Sequence, residues 1–415
     1  MKMSNITPPG EDVLAQLGID PTTIKSIKPH WKRTHYRAIS NWLTQYQPPS
    51  NASNLDKIKG YIEAFYHLCE LEDWEKCWTI IYSRLNLINQ EELHNQLGIW
   101  GYAQEQIKLY EKLIGKVNLE QEGICFTGLG NAHKDLGRYE QAIDYYFKAI
   151  DNFKTIVNYE RQVSAILGLA NSYKGLGKYQ EAINFCSECL TILSVKENLQ
   201  EEGNVLLTLG NTYNDLAEYQ KAIDYYYQSW IRYKIVGCSG GEGTAMINLG
   251  NTFNNLKKHQ QAIGYSMQAV TFAENLGNRK MLGSAWINLG SAYYGLQEYS
   301  IAIEHYQKAL NIFKEIGNRP GQGSCLGNLG NIYNDLGEYE EAIDYYKQAL
   351  NIFIEIGDQN AEGIALANLA DSLFQLNKYE ESLKNLEEAL EIFAKLGLPQ
   401  KKECQELREK LLTTF

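Results

Sequence analysis

Cys186-Ser187-Glu188-Cys189 is the stretch whose residue types come nearest to metal or redox chemistry. A closed zinc site needs four ligands, and no second cysteine pair stands at ligand spacing. The two thiols also occupy positions that other parts of the chain give to Tyr146 and Ala149, or to Tyr346 and Ala349, so the sequence places them in a core. The seven histidines are dispersed, and none enters an H-E-x-x-H arrangement. The string GCSGGEG at 237–243 follows no strand and so lacks the context of a phosphate-cradling loop; Gly243 instead shares its register with Gly203, Gly283, Gly323 and Gly363. No nucleophile stands with a base and an orienting partner. The expectation is a protein without catalytic residues, metal or cofactor.

Two patterns are suited to binding. The first is a series of carboxamides: Asn131, Asn171, Asn211, Asn251 and Asn331, broken by Ser291 and Asp371. One helical turn on stand Lys134, Lys174, Asn214, Asn254, Tyr294 and Asn334, beside Asp135, Asp215, Asn255 and Asp335. Asparagine is a mediocre helix former that competes with the backbone, so its recurrence on a helix face calls for a reason. A planar amide with two donors and one acceptor matches the N–H and C=O of an extended peptide whatever its sequence. The same amides could equally link neighbouring helices, and both roles can coexist. The second pattern is KSIKPHWKRTHYR at 25–37, where Lys28, Lys32, Arg33 and Arg37 surround Trp31. Basic residues interleaved with aromatics grip phosphate and stack on bases. The preceding DVLAQLGIDPTTIKSI has the cadence of a helix-turn-helix with Gly18 in the turn. A formal net charge of −11 argues against a chain that coats nucleic acid or anionic lipid along its length.

The elements that must position these residues repeat in strict register. Leucine recurs at 129, 169, 209, 249, 289, 329 and 369, seven copies at 40-residue steps. Gly130, Ala170, Gly210, Gly250, Gly290, Gly330 and Ala370 follow them. Within one copy Leu326, Leu329 and Tyr333 form one helical stripe; Ala342, Ile343, Tyr346, Ala349, Leu350, Phe353 and Ile356 form a second. Gly237, Gly277, Gly317, Gly357 and Gly397 then suit a left-handed helix cap. Each copy is predicted to be two antiparallel helices that cannot bury their apolar faces alone, whereas stacked neighbours share a continuous core. The fold class is all-α: a right-handed α-solenoid of stacked helix pairs. Residues 1–52 read as a basic/aromatic helical segment and linker, 53–118 as degenerate helical pairs, 119–399 as the seven repeats, and 400–415 as a capping helix through Leu407, Leu411 and Leu412. No start signal, no membrane-length apolar run and eight scattered cysteines lead to the expectation of a soluble cytoplasmic protein.

The wording L-G-x-x-Y, then G-x-Y-x-x-A, then aromatic and Ala on the second helix resembles the tetratricopeptide repeat (TPR). The 40-residue step and the LGN…Y…LGxYxxAI phrasing are similar to the subgroup of kinesin light chain and the Gα-binding spindle-orientation adaptors. The resemblance covers about two thirds of the chain. It implies a TPR superhelix acting as a non-enzymatic scaffold or adaptor that holds a peptide in its concave groove. It also implies that the five ladder asparagines grip the peptide main chain. Carboxylate-clamping TPR domains carry Lys four residues before the first groove Asn; here those positions hold Thr127, Leu167, Leu207, Ile247, Ile287, Gly327 and Ala367. The adaptors carry Arg seven before it, where this chain has Ile124, Ser164, Asn204, Thr244, Ser284, Ser324 and Ile364. No cation is placed to pair a carboxylate, so a neutral or mildly basic segment is favoured as partner. The alternative is a peptide-sensing regulator whose N-terminal segment at 1–46 binds nucleic acid, with Lys28, Trp31, Lys32, Arg33 and Arg37 as the nucleic-acid or anion contacts.

Overall fold

Three kinds of residue punctuate most of the copies and set where their helices start and stop; Cys238 at the entry to its copy makes no side-chain cap, and Val157 stands where later copies have an exit glycine. Asn158, Asn198, Asn278, Asn318 and Asp358 stand at the entry to first helices, each accepting from the backbone N–H three residues on. The turn between the helices needs a left-handed residue, supplied by Gly137, Gly177 and Gly337 and by the non-glycine Ala217, Lys257, Gln297 and Asn377. Gly237, Gly277, Gly317 and Gly357 take the same conformation at the exit from the second helix; Gly397 lies outside the described residues.

The computed structural model describes residues 6–49, 52–87, 90–196, 198–396 and 401–414. The chain forms two compact units, residues 1–129 and 130–415. The first unit begins with α1 (Gly10–Gln16), a 3-10 turn (Ile24–Ser26) and α2 (His30–Thr44). The hairpins α3 (Asn54–Glu70) with α4 (Trp74–Ile81) and α5 (Leu93–Trp100) with α6 (Ala103–Leu113) follow. Helix α7 (Leu119–Asp135) crosses the division between units and opens the regular series. The first helices then continue as α9 (Tyr159–Gly175), α11 (Leu199–Asp215), α13 (Ser239–Asn255), α15 (Arg279–Gly295), α17 (Arg319–Asp335) and α19 (Gln359–Gln375). The second helices alternate with them: α8 (Tyr139–Thr155), α10 (Tyr179–Lys196), α12 (Tyr219–Val236), α14 (His259–Asn275), α16 (Tyr299–Glu315), α18 (Tyr339–Ile356) and α20 (Tyr379–Leu396). Helix α21 (Lys401–Thr414) closes the chain against α20, burying Cys404 and Leu411 and half-burying Leu407. Leu412, expected on that face, is exposed, because Cys404, Leu407 and Leu411 already complete its stripe.

The small residue after each repeat leucine has a specific task. A Cβ on Gly130, Gly210, Gly290 or Gly330 would lie 2.7, 2.5, 2.8 or 2.6 Å from the ring of Tyr146, Tyr226, Tyr306 or Tyr346 on the second helix of its own copy. Where Cys186 or Leu386 replaces that ring the small residue is Ala170 or Ala370; opposite Ser266 the glycine is kept, and a Cβ on Gly250 would lie 2.7 Å from the serine Oγ. In those four copies glycine is the socket for a buried tyrosine. Gly264 in α14 and Gly327 in α17 have nothing within 4 Å of an added Cβ. Gly264→Ala and Gly327→Ala are each expected to raise stability by about 0.5–1 kcal/mol through backbone entropy, read as a higher thermal midpoint.

The first unit holds a buried histidine. His94 Nδ1 is 2.5 Å from the Tyr110 hydroxyl, and the ring sits against Tyr82 and Tyr110. Burial holds the imidazole down to about 4; Glu92, 3.9 Å from Nε2, is too far to offset that loss of solvation. The fold keeps His94 neutral while the unfolded chain takes up a proton below about 6.5. Its contribution is complete above that pH and is lost as pH falls toward 4, by about 3 kcal/mol. Urea midpoints at pH 7 and pH 4.5 should therefore differ less in His94→Gln than in the wild type.

Candidate functional site: the amide face

Successive first helices from α9 to α19 touch one another directly, and no successive pair of second helices comes as close. The first helices therefore lie on the shorter, concave side of the array. Their facing surface carries the carboxamide series, every member half-buried or exposed.

Three of the five amides are oriented by the second helix. The Tyr146, Tyr226 and Tyr346 hydroxyls donate to Oδ1 of Asn131, Asn211 and Asn331 at 2.6, 2.8 and 2.7 Å. Tyr306 pairs with Ser291 at 3.0 Å. Asn211 Oδ1 also accepts from Asn248 Nδ2 at 2.9 Å, and Asn331 Oδ1 from Asn368 Nδ2 at 3.4 Å. No partner reaches Nδ2 of Asn131, Asn211 or Asn331 among the described residues, so these three present donors. In copy 2, where Cys186 replaces the tyrosine, Asn171 Nδ2 instead donates to Leu167 O at 2.9 Å, turning Oδ1 outward as an acceptor.

The positions one turn on are tied between copies. Lys174 Nζ donates to Asp215 Oδ2 at 2.9 Å. Asn214 Oδ1 accepts from Thr252 and Asn255 at 3.0 and 3.2 Å, and Asn254 Nδ2 donates to Asn288 O at 3.3 Å. Tyr294 donates to Asp335 at 2.5 Å, and burial followed by that carboxylate pushes its hydroxyl pKa up. Asn334 accepts from Ser372 at 2.7 Å and donates to Asp371 at 3.5 Å. Lys134 lies beside Asp135, 3.4 Å away. Sequence reasoning missed the row Asn248, Asn288, Asn328 and Asn368, although its 40-residue recurrence was visible. It also missed that the core tyrosines clamp the ladder.

The other candidates divide differently. Cys186 and Cys189 are fully buried, burial pushing the Cys186 thiol up to about 12. Among the described residues no His/Cys/Asp/Glu group could hold a metal ion. The helix-turn-helix cadence is not realised. The Asp20 carboxylate accepts from the Thr22 N–H and hydroxyl, and the chain then makes turns until His30, as a residue before proline disfavours helix. Lys28, Trp31, Lys32, Arg33 and Arg37 stand on or just before α2; Lys32 Nζ lies 5.5 Å from the centre of the exposed Trp31 ring, and Arg33 donates to Lys25 O.

The tetratricopeptide repeat model matches residues 162–229, 241–315, 281–355 and 322–395, more than half of the chain, and a second model of the same repeat matches 124–153. The chain belongs to the tetratricopeptide repeat family. A search of the curated proteins finds no match. Among solved structures, a Rap protein complexed with competence and sporulation factor is 13% identical, covering 86% of this chain and 98% of that one with a TM-score of 0.50. A STAND protein with a tetratricopeptide repeat sensor, PH0952 from Pyrococcus horikoshii, is 16% identical, covering 93% and 56% with a TM-score of 0.47. Aspartyl phosphate phosphatase F from Bacillus subtilis is 12% identical, covering 88% and 96% with a TM-score of 0.46. The TPR fold supports a protein-interaction scaffold. No helix among the described residues is long and apolar enough to cross a membrane.

Proposed function

We propose that this TPR array is a non-enzymatic adaptor that holds an extended peptide segment on its amide face, gripping the main chain. The observation that carries the reading is the orientation of the ladder. Asn131, Asn211 and Asn331 are fixed with donors outward and Asn171 with its acceptor outward. An extended chain offers carbonyls and N–H groups in alternation, so a fixed mixture of donors and acceptors suits it without reference to side chains. Holding Asn131, Asn211 and Asn331 by tyrosine hydroxyls also removes rotamer entropy before the ligand arrives, which favours affinity.

Charge on the face favours a neutral or mildly basic segment. Asp135, Asp215, Asp335 and Asp371 stand among the ladder positions, against Lys134 and Lys174, both of which neighbour a carboxylate. Eight free thiols suit a reducing compartment such as the cytoplasm. Calorimetric titration with pools of neutral, basic and acidic linear peptides tests this reading. Neutral and basic pools should bind; tighter binding of the acidic pool would contradict it.

A further inference from the structure

Within residues 130–415 the chain meets itself six copies on. The turn between α7 and α8 lies against the turn that leads into α19. A Cβ on Gly137 would stand 3.1 Å from the Cβ of Asn360. Tyr139 packs on the cluster formed by Leu366, Ala370 and Phe393. The contact is visible in burial too: Leu136 is 1% exposed, whereas Leu336, its equivalent five copies later, is 43% exposed. Burial and then the nearby Asp135 push the Asp358 carboxyl up, and Asn360 Oδ1 is buried without a partner among the described residues. The two turns lie on opposite edges of the helical wall. That is the contact made when the wall comes full circle and its next turn seats on the first.

We infer that this contact is a seam closing the wall of the array. The amide face is then reached from the ends of the turn, and its ligand is an extended peptide with a free terminus, not a loop presented by a folded partner. This rests on the proposed binding of peptide by that face; the seam itself does not.

The first measurement concerns the seam alone. In a Cys238→Ser background, Gly137→Cys with Asn360→Cys places two thiols near disulfide spacing. A side chain is tolerated at the first site, since Ala217, Lys257, Gln297 and Asn377 occupy the same turn position at positive φ. Mild oxidation should remove both added thiols and give a faster-migrating monomer on a non-reducing gel. Gly177→Cys with Asn360→Cys should keep its thiols, because nothing lies within 4 Å of a Cβ at Gly177. Retention of both thiols in the first variant would overturn the seam. The second measurement uses the oxidised variant with a random linear peptide library and the same library cyclised through its backbone. Retention of linear peptides with loss of cyclic ones supports the inference. Equal capture of both by the locked protein overturns the free-end requirement. Capture of neither, with the disulfide formed, overturns it through the proposed binding face while leaving the seam in place.

Discussion

Exchanging Asn211 and Asn331 together for aspartate should weaken capture of neutral linear peptides about ten- to a hundredfold while leaving the thermal midpoint nearly unchanged. Aspartate keeps the oxygen that accepts from the Tyr226 and Tyr346 hydroxyls, and it also keeps the acceptor for Asn248 and Asn368. What it removes is the outward N–H donor, replaced by an oxygen that repels a peptide carbonyl. Alanine would be the wrong substitution. In Asn331→Ala the hydroxyl of Tyr346, a residue only 2% exposed, loses its acceptor, an expected cost of about 1–3 kcal/mol. Loss of binding there would be confounded with loss of fold. Equal binding by wild type and the double aspartate variant, measured by fluorescence anisotropy, would remove the ladder from the binding account.

Gly330→Ala should destabilise by about 1–3 kcal/mol, even though alanine is intrinsically the better helix residue. The new Cβ would lie 2.6 Å from the Tyr346 ring, and that ring cannot withdraw while its hydroxyl is held by Asn331 at 2.7 Å. Three residues earlier on the same helix, Gly327→Ala carries the opposite sign. The chain already contains the compensated pairing, Ala370 with Leu386. Tyr346→Leu should therefore recover much of the loss in Gly330→Ala, a coupling that a double-mutant cycle in urea reads directly. Because each copy is stabilised by its neighbours, the loss should spread to amide exchange in α15 and α19. Additive effects of the two changes would contradict the socket.

The regular array was legible because periodicity at 40 residues, the apolar stripes and the left-handed turn glycines all point to the same helix pairs. The positions of the ladder were legible for the same reason. The roles of its atoms were not. Whether Asn211 offers a donor or an acceptor depends on Tyr226, fifteen residues on, and a sequence does not say which way a planar amide is turned. The inter-copy ties of Lys174, Asn214 and Asn334 were likewise hidden, since their partners lie some 40 residues away in the next copy. At 12–27 the sequence misled: the rhythm suggested two helices, but only the first forms, in α1, and Asp20-Pro21 with the Asp20–Thr22 bonds carries the rest into turns and the short 3-10 segment. The seam between Gly137 and Asn360 is a product of superhelical curvature, which no local pattern encodes.

The most direct test of the central claim is the side-chain amide spectrum of protein labelled with nitrogen-15 at asparagine, recorded during titration with a neutral linear peptide pool. The Nδ2 signals of Asn131, Asn211 and Asn331, assigned through their aspartate variants, should shift together as peptide is added. Saturable binding that leaves those three signals unmoved would contradict the account.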